Sequence, residues 1–153
     1  MRPGRYSSVG FLGPAESLEA VLAQDADTIS ELGLSFDEVA QALQTIVQKA
    51  RDQFGDVVRI GRLEALIPSV ALGHQICPWG PDRGNQICSF ADSLHYSNFE
   101  WLLRDFDTGE MMTGPGLIVH LIRHHRFFEG MDSPFRVDPK RLARLLRLGP
   151  LRS

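Results

Sequence analysis

Cysteine is scarce in this chain: Cys77 and Cys88 are the only two in 153 residues. Two thiols cannot staple a disulfide scaffold. Lysine is equally scarce, with Lys49 and Lys140 against 14 arginines, which reflects base composition more than function. Long apolar runs are missing, and none approaches the roughly 20 residues of a membrane-spanning helix. The first residues carry Arg2 and Arg5 but no continuous apolar stretch, so a secretory signal is not expected there and a cytoplasmic setting is. Internal repeats and low-complexity segments are absent. So are HEXXH, a Walker P-loop, GxSxG and GxGxxG, which removes the commonest signatures of zinc proteases, nucleotide hydrolases, serine hydrolases and dinucleotide enzymes.

What is present fits an ordinary globular protein. Hydrophobic residues make up 43% and charged residues 23%, with a net charge of −3, which excludes a disordered chain. The length suits one domain with a core of its own. The charges are unevenly placed. Residues 1–56 hold nine acids against four bases, and residues 120–153 hold eight bases against three acids. An acidic front and a basic tail can pair within the fold, between subunits, or with an acidic partner.

The clearest element follows Ser35. Ser35 and Glu38 spell a capping box, and Phe36, Val39, Leu43, Ile46, Val47, Ala50 and Phe54 recur at helical spacing up to a stop at Gly55. Before it, Pro14 suits a first helical position, and Leu18, Val21, Leu22, Ile29 and Leu32 keep the period. The polar stretch from Gln24 to Asp27 is expected to split that segment into two short helices. Residues 1–13 read as a flexible arm and 14–153 as a single domain.

After Gly55 the pattern turns to strands: Val57–Ile60, then Leu63–Leu72 with a bulge or an edge at Pro68. A turn-rich loop from Gly73 to Gly84 follows, then a strand at Gln86–Phe90. Phe99–Phe106 and Glu110–Met112 flank a hairpin turn at Asp107-Thr108-Gly109. Helix returns from Pro115 to Phe128, closed by Gly130, and again after Asp138-Pro139 with Leu142, Leu145 and Leu146 inward. The fold class is therefore α+β: an N-terminal helical hairpin, a small antiparallel sheet and two C-terminal helices.

The candidate chemistry lies in Cys77, Cys88, His120 and His124, with His74, His95 and His125 as further donors; both cysteines and all five histidines fall between residues 74 and 125. At about 100° per residue from Leu117, His120 and His124 fall near 300° and 340°, beside Leu121 and Phe128 at about 40° and 20°. Arg123 and Arg126 fall at about 240° and 180°, toward solvent. Two inward imidazoles from one helix and thiolates from elsewhere are the donor set that structural zinc takes in a tetrahedron. Ten residues separate Cys77 from Cys88, so they form no knuckle, whereas His74 and Cys77 stand at knuckle-like spacing. Buried free thiols and a Cys77–Cys88 disulfide remain open alternatives.

The leading expectation is a small zinc-binding interaction or regulatory protein without catalysis of its own. The rival is a small enzyme using a Cys77 nucleophile or a metal-activated water, with Glu129 or Asp92 as the assisting carboxylate. Residues 27–43 outline a helix-turn-helix, but Asp37 and Glu38 open its second helix and repel phosphate, so specific DNA binding is not expected. A protein partner or self-association is compatible with the sequence; a membrane is not. The segment 127–139 reads as core phenylalanines with local turn hydrogen bonds, or as a pocket lining.

Overall fold

The computed structural model describes residues 12, 15–77 and 96–148, with residues 69–76 and 96–97 described by their backbone alone. The expected arm over 1–13 lies outside the described residues except for Leu12, which is buried in the core. Pro14 and the expected strand at Gln86–Phe90 also lie outside them.

Helix α1 runs over Leu18–Glu31, and the Ser17 hydroxyl caps it by accepting from the Ala20 N–H. It is one helix, not two. The polar stretch does not break it because Asp25 turns into the protein, where Arg136 meets it with two hydrogen bonds of 2.8 and 2.9 Å. Gly33, at φ +69°, turns the chain into α2, Phe36–Asp52. Both bonds of the expected capping box form, each at 3.1 Å. Val39, Ala40, Leu43, Ile46, Val47 and Ala50 form the buried stripe. Phe54 does not join it; it lies past the helix end and is 61% exposed.

The sheet is an antiparallel meander in chain order: β1 Val58–Ile60, β2 Leu63–Ile76, β3 Tyr96–Asp105 and β4 Met111–Pro115. β2 is longer than expected and occupies the start of the segment read as a loop. Pro68 sits at a bulge, not at an edge: Leu66 to Ser69 spans three steps of β2 against two of β3, Leu102 to Glu100. A second irregularity sets Val70 to Gln75 against Phe99 to Ser97. The β3–β4 hairpin is pinned by the Asp105 carboxylate, which accepts from the Asp107 and Thr108 N–H groups at 2.8 and 3.0 Å. These bonds, Thr108 first, and the nearby Arg147 hold the Asp105 carboxyl below its usual range against the effect of burial.

Pro115 does not open the next helix. It ends β4, and its carbonyl accepts from the Trp101 indole at 2.9 Å. Gly116 continues the ladder by donating to the Phe99 carbonyl. Gly114 and Gly116 lie flat against the Trp101 and Phe99 rings, where any Cβ would collide. Helix α3, Ile118–His125, therefore starts three residues late, and it stops early because Arg126 adopts a left-handed conformation at φ 55°. Phe127 and Phe128 are buried beyond its end. Helix α4, Pro139–Leu146, begins as expected, with the Asp138 side chain accepting from the Arg141 N–H.

One apolar cluster joins these parts, with Leu63, Ala65, Ile67, Phe99, Trp101, Leu103 and Met112 from one face of the sheet and the apolar stripes of the helices. Helix α2 packs on β2, and α3 packs on α2. Among the described residues no helix is long and apolar enough to cross a membrane.

Candidate metal centre

Cys77 lies one residue beyond β2, and its side chain is fully buried in the cluster between sheet and helices. It faces α3. Ile118, Val119, Leu121 and Ile122 are all buried, so α3 is clamped on nearly every side. His120, in its first turn, is as buried as its aliphatic neighbours. Arg123 ties α3 to α2 through the side-chain amides of Gln44 and Gln41. Arg126 is exposed and stacks 5.7 Å from the Phe36 ring centroid.

Three donors converge: Cys77 Sγ and one ring nitrogen each of His120 and His125 all lie within 4.8 Å of one another. Cys77 Sγ and His125 Nε2 lie 3.2 Å apart. In a zinc tetrahedron, ligand atoms 2.0–2.3 Å from the metal are roughly 3.3–3.8 Å apart. The group thus stands within about 1.5 Å of coordination geometry and could hold a metal ion. The His124 ring stands beside it, its centroid 5.0 Å from that of His120, against 5.2 Å between His120 and His125. His124 and His125 are half-buried.

The sequence-named donors therefore divide. Cys77 and His120 are brought together, His125 completes the converging group, and His124 flanks it. Cys88 and His95 lie outside the described residues, as does the side chain of His74. Helical periodicity favoured His124 because it lies about 40° from His120, whereas His125 lies about 140° away. His125 is the last helical residue, followed by the left-handed turn at Arg126, and it reaches Cys77 from there. The only sequence signal for it was its place in a run of histidines.

No protein-family model matches this chain, and no curated protein or solved structure gives a significant match. The site stands on its own geometry.

A second buried polar cluster has different chemistry. Arg136, 11% exposed, clamps the 2% exposed Asp25 and donates to the Glu129 carbonyl at 2.8 Å. The acidic front and the basic tail thus do pair within the fold here, while Arg147 of the tail pairs with Asp105 at the end of β3. Glu129 is itself fully buried at φ 71°. Its Oε1 accepts from the Ser133 hydroxyl at 3.2 Å, and its Oε2 has no hydrogen-bond partner among the described residues. Burial pushes its carboxyl up to about 8, against a smaller opposing pull from Ser133. Glu129 is therefore an uncharged acid at neutral pH. Asp92, the other carboxylate considered for catalysis, lies outside the described residues.

Proposed function

We propose that Cys77, His120 and His125 bind a transition-metal ion, with zinc the natural occupant, and that the bound metal is structural. The observation that carries this reading is the convergence of one sulfur and two imidazole nitrogens within 4.8 Å from elements more than 40 residues apart. One thiolate and two neutral imidazoles suit a borderline-soft cation and disfavour magnesium or calcium, which take oxygen ligands. His124 and Cys88 are the proposed sources of further ligation, as the sequence suggested. Such a centre would fasten the end of β2 to α3 and would couple metal affinity to folding. On this reading the protein is a metal-stabilised interaction or regulatory module in the reducing cytoplasm, where Cys77 stays unoxidised and available to the metal. DNA is not its partner, since Asp37 and Glu38 are exposed at the start of α2.

Metal analysis of the purified protein tests this: about one zinc per chain is expected, lost in Cys77→Ser and His125→Ala. A metal-free protein that takes up neither zinc nor cobalt refutes it.

One contact favours a second reading. Cys77 Sγ and His125 Nε2 at 3.2 Å resemble a nucleophile and its base. Complete burial of Cys77 weighs against it, because a nucleophile must meet its substrate. Fast alkylation of Cys77 in the folded, metal-free protein would support the enzyme; protection would support the structural centre.

A further inference from the structure

The two faces of the sheet differ. One joins the core; the other is organised in rows set by the strand register. Arg59, Glu64, Arg104 and Met111 are paired directly across β1, β2, β3 and β4, so they share the face turned away from the helices. The next row on that face contains Leu66 and Leu102, paired with each other and half-buried. Phe106 is 52% exposed and Met111 49%. The Arg59 guanidinium lies 4.4 Å over the Phe106 ring, which puts that ring on the same side. Glu64 is held by Arg59 at 3.3 Å, whereas Arg104, exposed at the centre of the face, makes no ion pair among the described residues.

We infer that this face binds a second copy of the chain, laid face to face about a two-fold axis running along the strands between β2 and β3. That operation places β2 over the β3 of the other copy and reverses each row upon itself. Glu64 of each copy then meets Arg104 of the other, and Leu66 meets Leu102, each contact made twice. A carboxylate and a guanidinium that exchange places under the axis make the surface complementary to itself. Aligned sheets pack about 10 Å apart, a spacing that interdigitated leucines fill.

Edge-to-edge pairing through β4 is blocked instead. Arg141 donates to the Met111 carbonyl at 3.0 Å, and Pro115 has no N–H to offer. Four strands about 4.8 Å apart and a ten-residue β3 give a face of roughly 600 Å² per copy, at the low end for specific association. The dimer is therefore weak, with dissociation on the order of micromolar, and salt loosens it.

Sedimentation equilibrium from about 1 to 300 µM, with and without a chelator, tests this. The wild type is expected to dimerise reversibly in both conditions. Glu64→Arg and Arg104→Glu should each remain monomeric while keeping a wild-type circular dichroism spectrum. Mixed in equal amounts, the two variants should form a one-to-one heterodimer, because both central contacts then join opposite charges. A wild type that stays monomeric throughout overturns the proposal, whether another segment of the chain or another protein covers the face. A dimer that survives both reversals, or that dissolves with chelator alone, overturns it as well. So does failure of the two folded, monomeric variants to associate when mixed.

Discussion

Among the described residues, the polar cluster around Arg136 and the one around His120 are both buried, and they are built on opposite principles. Around Arg136 the groups are hard and charged, and they answer one another: a guanidinium clamps the Asp25 carboxylate and donates to the Glu129 carbonyl. Around His120 the groups are an imidazole pair and a thiol, softer donors whose ligand atoms lie within 4.8 Å of one another. The Arg136–Asp25 pair is complete as protein, and it holds α1 against the loop that precedes α4. The second has the composition that an added cation would complete. A buried polar cluster is thus judged by whether its members cancel one another's charge or share a geometry that a third party can use.

Removing one side of the charged cluster should cost most. Asp25→Ala leaves Arg136 buried without its counter-ion, and a loss of about 3–5 kcal/mol is expected in urea unfolding. If the loss is below about 1 kcal/mol, the pair is no more than a surface bridge.

Removing one side of the soft cluster should cost less, and only when metal is present. Cys77→Ser should lower stability by about 3 kcal/mol at a free zinc concentration about 100 times the dissociation constant. A chelator should bring the wild type down by a similar amount and leave the variant almost unchanged. Equal chelator sensitivity in both proteins would disconnect Cys77 from the metal.

Glu129 sharpens the comparison, because it borders the charged pair and its Oε2 lacks a hydrogen-bond partner among the described residues. Its carboxyl is raised from 4.5 to about 8, so the folded state holds a proton that the unfolded state releases. Stability from this group is complete below about pH 4.5 and falls through neutrality, by at most about 1.4 kcal/mol per pH unit, until about pH 8. Glu129→Gln should flatten that fall, melting higher than the wild type at pH 8 and much like it at pH 4. Parallel pH profiles would mean that Glu129 ionises in place.

The smallest effect belongs to a site outside both clusters. Ser35→Ala removes one bond of the α2 capping box and should cost about 1 kcal/mol.

Much of the fold was legible because its signals were local. The Ser35 capping box, the turn at Asp107-Thr108-Gly109 and the Asp138-Pro139 start each depend on residues within a few positions of one another, and each formed. What failed depended on distant partners. Asp25 looked like a helix break because its neutralising arginine lies 111 residues away. Pro115 looked like a helix start because nothing local reveals that Phe99 and Trp101 hold that stretch in the sheet. The site was half legible for the same reason. Periodicity brought His120 inward, but which neighbouring histidine meets Cys77 depends on where the end of β2 crosses α3.

That crossing has a counting rule behind it. Between Leu66 and Gln75 the two irregularities of β2 insert one residue and then three relative to β3, since three steps oppose two and five oppose two. Each insertion alone is odd and exchanges the two faces of the strand; together they are even and restore them. Cys77 thus returns to the face that carries Leu63, Ala65 and Ile67 and is buried with them. Parity protects the donor group more strictly than residue identity does. Deleting Pro68 alone would remove one odd step and turn the thiol away from His120 and His125. A compensating single insertion downstream would bring it back. Length changes in this strand should therefore be tolerated in pairs, even where single substitutions are tolerated freely.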